Sequence, residues 1–155
     1  MENQEVTVFP VKYRISNNLQ GGVSFNVNLF VDVYHKKVSG SGTIFQATNP
    51  PLNIPTALHG DYSYMATTAS TNILIVAEGI NPLIPIVPGV PNAKLRIVLD
   101  SNWKTGTAYY SYLNEGQWIK VGPQRVEAVE ISASDTDIEK LADTVNKEEA
   151  ELTTA

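Results

Sequence analysis

Cysteine is missing from this 155-residue sequence, and histidine occurs only twice, at His35 and His59. Without cysteine there is no disulfide framework, no thiolate metal site and no thiol nucleophile. A cytosolic home is permitted but not required. Neither His35, beside Lys36 and Lys37, nor His59, in His59-Gly60-Asp61, has a second histidine or a carboxylate at a recognised metal-ligand spacing. Positive charge is also scarce, with 11 basic residues against 16 acidic and a formal charge of −5. That balance argues against a cationic nucleic-acid-binding surface. No apolar run approaches the length of a membrane span, and the opening MENQEVTVFP has neither a basic nor an apolar leader region. The chain is therefore expected to be soluble and cytoplasmic at synthesis, with export lacking a cleavable signal still open. No serine sits in a nucleophile elbow and no glycine-rich loop opens a helix. His59 and Asp61 stand two apart, which on a strand gives a shared solvated face more readily than a base and its orienting carboxylate. The expectation is a protein that is not an enzyme, with no catalytic, metal or cofactor residues to name.

What the sequence has in quantity is alternation. In Gly22–Tyr34, Val23, Phe25, Val27, Leu29, Val31 and Val33 are apolar, while Ser24, Asn26, Asn28 and Asp32 between them are polar. A period of two over this length is the mark of a half-buried antiparallel strand. At about 3.3 Å per residue it spans on the order of 40 Å, which suits a strand bending across a sandwich or barrel.

Before it, Val6–Ile15 alternates with a slip at Phe9-Pro10, where proline removes a ladder donor and marks an edge or bulge. Ser16–Gly22 reads as a turn. After His35-Lys36-Lys37, Val38–Gln46 reads as the returning arm of a hairpin, with Gly40 and Gly42 on one face. Glycines so placed admit a neighbouring backbone, a large aromatic ring or a ligand. Ala47–Thr56, with three prolines, is expected to be an extended loop. Further strands are expected at Leu58–Met65, Ile73–Ala77, Ala93–Leu99, Trp103–Leu113, Gln117–Val121 and Arg125–Ile131, with a hairpin turn at Asn114-Glu115-Gly116. The fold class is all-β, an antiparallel sandwich or barrel of eight to nine strands.

The tail changes period. Thr136-Asp137-Ile138-Glu139 matches a capping box, and Ile138, Leu141, Ala142, Val145 and Leu152 share one helical face. The expected division is an all-β domain over residues 1–133 and an acidic helical tail over 134–155, its amphipathic helix starting near Thr136. A helix this short is marginal alone, so its apolar face should dock on the barrel or on another copy.

Two stretches point past structure. Gly79–Asn92 crowds Ile80, Leu83, Ile84, Ile86, Val87 and Val90 among four prolines. So apolar a connection either folds over the core or presents a contact surface for another copy of the chain. The second stretch holds Trp103, Tyr110, Tyr112 and Trp118, where Tyr110 and Tyr112 share one strand face and a hairpin through Asn114-Glu115-Gly116 would set Trp118 beside them. They suit either cross-strand packing or a platform on which a carbohydrate stacks.

The succession FPVKY, NNLQGG, LFVDV, GSGTIFQATNPPL, HGDYSYM and WKTGTAYYSYLNEGQW resembles a family of small bacterial proteins known only as a domain of unknown function. The resemblance runs over about residues 7–130, is most specific at ATNPPL and GDYSYM, and leaves out the acidic tail. It implies a single bacterial all-β domain and carries no substrate, cofactor or catalytic residue. The sheet edge marked by Pro10, the apolar proline loop and the amphipathic tail predict a non-enzymatic interaction or assembly module that forms homo-oligomers. A carbohydrate-binding module is the first alternative, and a small-ligand barrel lined at Gly40 and Gly42 the second.

Overall fold

In a computed structural model of the protein, which describes residues 8–66, 71–83, 90–129 and 140–146, eight strands run in chain order around a closed antiparallel barrel. They are β1 (Val8–Ile15), β2 (Ser24–Asp32), β3 (Lys37–Gln46), β4 (Leu52–Ala66), β5 (Thr71–Ile80), β6 (Ala93–Asp100), β7 (Thr105–Asn114) and β8 (Gln117–Ala128). A short helix, α1, covers residues 140–146. The barrel resolves the choice between sandwich and barrel, and every neighbour in the sheet is a neighbour in sequence except β1 and β8.

Alternation sets the inside. Phe25, Val27, Leu29, Val31 and Val33 are buried, whereas Asn26 and Asn28 are exposed. Val23 is only partly buried, because it lies before the first paired residue of β2. The two inward glycines of β3 serve close approach. A Cβ at Gly40 would collide with the Asn28 carbonyl oxygen of the adjoining strand, and one at Gly42 would lie 2.6 Å from Cε1 of Phe25. The room they leave is taken by backbone and by an aromatic ring. The Phe25 ring in turn meets Tyr110 edge-on, with centroids 5.1 Å apart.

Three elements differ from the expected ones, each for a local reason. β4 starts at Leu52, so much of the proline-rich Ala47–Thr56 is strand and not loop. Pro55 pairs with Thr43 of β3, while pairing with β5 begins only at Ala57, so its missing N–H costs no ladder bond on that side. Within the described residues, Gln117–Val121 and the start of Arg125–Ile131 are not two strands. Gln117–Ala128 is one strand carrying a bulge, with the register passing from Tyr110↔Val121 to Ala108↔Gln124 so that Gly122 and Pro123 face Tyr109 alone. Trp103 begins no strand but sits in the β6–β7 turn at φ 64°, fully buried, with its ring edge-on to Tyr62 at 5.3 Å. Its carbonyl accepts a hydrogen bond from the Tyr13 hydroxyl at 2.7 Å.

This tryptophan end of the barrel, formed by residues 33–36, 101–104 and the end of β8, also receives α1. Leu141 and Val145 are fully buried and Ala142 nearly so, all within the barrel's own hydrophobic cluster. The helix lies close to the β6–β7 turn, where Ala142, Asp143 and Asn146 share a shallow pocket with Ser101, Asn102 and Lys104. Thr136 and its capping box lie outside the described residues.

The closure is uneven. β1 pairs with β2 over eight residues, Val8↔Asp32 to Ile15↔Phe25, but with β8 only at Tyr13↔Ala128, Arg14↔Glu127 and Ile15↔Val126. Pro10 falls outside those pairs, where a missing donor is tolerated. The first arm of β8, from Gln117 to Val121, pairs with β7 on one side and with no described strand on the other.

Candidate functional site

At the end opposite Trp103 the β5–β6 connection leaves and returns to the barrel. Asn92 fixes the return. Its amide nitrogen donates to the Pro55 carbonyl at 3.0 Å, its side-chain oxygen accepts from the Thr56 hydroxyl at 2.6 Å, and its backbone N–H donates to the Gly79 carbonyl at 2.7 Å. Its own carbonyl accepts from Leu113 N–H at 2.8 Å, which ties the loop to the β7–β8 hairpin. Of the six aliphatics singled out in this stretch, Ile80, Leu83 and Val90 are exposed, Leu83 by 75%. Ile84, Ile86 and Val87 lie outside the described residues.

The hairpin beside it turns through Glu115 and Gly116, both at positive φ (50° and 79°), a two-residue turn that fixes Asn114 opposite Gln117. That register decides the aromatic residues. Tyr112 faces Ile119 and Leu113 faces Trp118, so Tyr110 and Tyr112 point into the barrel while Trp118 stands on its outer surface, 41% exposed. Trp103 is at the other end of the barrel. The four rings named for the alternative platform are therefore not brought together. Tyr110 instead donates its hydroxyl to Oε1 of Gln124 at 2.8 Å, whose amide donates to the Val23 carbonyl at 3.0 Å. Burial pushes the phenols of Tyr110 and Tyr13 far above the ordinary tyrosine range.

On the outer surface a groove of about 650 Å³ runs across β5 to β8, and the groove was not foreseen from the sequence. Its outward side chains are Val76 and Glu78 from β5, Lys94 and Arg96 from β6, Tyr109 and Ser111 from β7, and Lys120 from β8. The Lys94 ammonium stands 5.0 Å over the Trp118 ring. Neither Arg96 nor Lys120 has an ion-pair partner among the described residues, and Glu78 is the one carboxylate lining the groove. The signal was present as Lys94 and Arg96 alternating with Leu95 and Ile97. Joining them to Lys120 required the strand order.

The histidines take no part in this surface. His35 Nδ1 is 2.7 Å from Asp32 Oδ2, and that hydrogen bond holds the partly exposed Asp32 carboxyl below the usual carboxylate range. His59 and Asp61 both point outward from β4, where Asp61 lies 3.7 Å from the Lys37 ammonium. Among the described residues no group of three histidine or acidic side chains is placed to hold a metal ion.

The sequence profile of a domain of unknown function, DUF1842, matches residues 6–118. The chain belongs to this family. The DUF1842 match runs from the residues before β1 to Trp118, somewhat shorter than the resemblance had implied. It takes in the proline loop and most of the groove, and it ends before Lys120 and α1. No curated protein matches the chain in sequence. Among the described residues no helix is long and apolar enough to cross a membrane.

Proposed function

We propose that this DUF1842 protein is a non-enzymatic interaction module that associates with copies of itself through the proline-loop end of the barrel. One observation carries the reading. The exposed aliphatics Ile80, Leu83 and Val90 project from a connection whose return is pinned by the buried Asn92 network. A contact anchored in this way loses less conformational entropy on docking than a free loop would. Burying three such side chains contributes about 1.5–3 kcal/mol each. Association costs about 4–15 kcal/mol in lost translational and rotational freedom. The two are of the same order, so the self-contact is weak and concentration-dependent unless the rest of the loop adds to it.

Light scattering at two protein concentrations tests this. The mass of the wild-type protein rises with concentration, while Leu83→Asp with Val90→Asp keeps its circular dichroism spectrum and stays at the mass of one chain. A wild-type mass that remains monomeric at both concentrations refutes the proposal. Unfolding of the double variant refutes it differently, by making the loop a lid on its own core.

A further inference from the structure

We infer that the free edge of β8, together with the cationic groove beside it, is a docking site for an extended acidic peptide. The strand lies next to β8 and its carboxylates reach the outer face. Backbone carries the first part of the inference. From Gln117 to Val121 the strand has one side without a described partner, so its N–H and C=O groups on that side, unpaired among the described residues, can accept another strand. The edge has a definite length. It begins at the tight Glu115-Gly116 turn and ends at the bulge of Gly122 and Pro123, after which Ser16 N–H reaches the Arg125 carbonyl at 3.0 Å and β1 takes over.

Side chains carry the second part. Alternation places Gln117, Ile119 and Val121 on the inner face of this arm and Trp118 and Lys120 on the outer. Lys94 reaches toward the edge far enough to cover the Trp118 ring, and Arg96 lies deeper in the same groove. An added strand with acidic residues at alternate positions would set them over Lys120 and Lys94. Its other positions would meet the half-exposed Ile119 and Val121.

Charge chooses between the two natural occupants of an edge. A second copy pairing antiparallel about a two-fold axis normal to the sheet would keep both outer faces on one side. Lys94, Arg96 and Lys120 of each copy would then share one surface, with Glu78 alone to offset them. Like charges set opposite one another across strands are destabilising. A lysine on an edge strand is a common guard against self-pairing. The charge that keeps a second copy out admits a carboxylate-bearing strand. The residues of this surface differ from Ile80, Leu83 and Val90 of the proline loop, and the inference does not rest on self-association.

The probe is a blocked hexapeptide of alternating glutamate and valine, titrated into the full-length protein while tryptophan emission is followed. Trp118 is exposed beside the edge and Trp103 is buried at the far end, so the change reports on Trp118, and Trp118→Phe abolishes it. Replacing glutamate by lysine in the peptide, methylating its alternate backbone nitrogens, and Lys120→Glu in the protein each weaken binding by at least about tenfold. Equal binding of the lysine peptide would remove charge as the selecting feature and overturn the inference. Equal binding of the methylated peptide would remove strand addition and overturn it as well. So would the absence of any emission change up to about millimolar peptide, a range that covers weak complexes. A light-scattering mass that falls when peptide is added would assign the edge to a second copy, again against the inference.

Discussion

Replacing Gly42 by alanine, alone and with Phe25→Leu, tests whether the barrel interior is packed shut where the inward glycines leave room. The new methyl carbon would meet Phe25 Cε1 at 2.6 Å, the Asn26 carbonyl oxygen at 2.9 Å and Leu58 Cδ1 at 3.4 Å. The first two separations are far below the contact distance of about 3.5–4.0 Å at which dispersion is attractive, and the third is just short of it. Overpacking of this kind costs about 1–3 kcal/mol, against which the stiffer unfolded chain returns about 0.4–1 kcal/mol. A net loss of about 1–2 kcal/mol is expected for Gly42→Ala. Phe25→Leu alone removes ring atoms from a fully buried side chain and leaves a gap, at a cost of about 1–2 kcal/mol. In the double variant the alanine methyl occupies part of that gap. The Asn26 contact stays, because it is backbone. The combined loss should therefore fall short of the sum by about 1 kcal/mol, a coupling that urea denaturation at 25 °C followed by circular dichroism resolves. Additivity within about 0.3–0.5 kcal/mol, or a stabilising Gly42→Ala, would show that Gly42 is not there to seat the Phe25 ring.

Two further outcomes are expected. Leu141→Ala, in a fully buried side chain of α1, should cost about 2–5 kcal/mol and lower a single cooperative transition; two separate transitions in calorimetry would show that the helix melts apart from the barrel. Tyr13 and Tyr110 are held neutral by burial in the folded protein, so their contribution is fully present below the unfolded tyrosine value of about 10. It is lost as pH rises beyond that value toward the folded one, by about 1.4 kcal/mol per pH unit for each group. Tyr13→Phe should flatten the fall of stability measured by urea titration between about pH 10 and 11, and a slope equal to the wild-type slope would refute this.

Much of the architecture was legible because one face of the sheet is wet. The alternation from Val23 to Val33 gave both the strand and its inward side, and Glu115-Gly116 gave the hairpin. The errors gather where pairing is one-sided. At Pro55 and at Gly122-Pro123 a proline reads as a break, but neither position has strands bonded on both sides, so the strand continues. Tyr109, Tyr110 and Tyr112 show why parity does not settle direction when both faces carry rings. The choice fell to the two-residue turn, which sent Trp118 outward. The groove was beyond the sequence because its cations come from two strands that touch only through β7. The exposed loop aliphatics were visible as a composition, while the Asn92 network that anchors them joins positions far apart in the chain.

The narrow β1–β8 closure bears on how the chain is made. Every other strand pairing joins consecutive segments and can form as hairpins while the polypeptide emerges, with little loop-closure entropy to overcome. Tyr13 must instead wait for Ala128. Through most of synthesis the nascent protein is an open, curling sheet with two bare margins, and its last act of folding is to latch three consecutive residue pairs at one place along the seam. A seam that forms last and holds by so few bonds is also the natural place for amide protons to exchange first, before the remaining ladders yield.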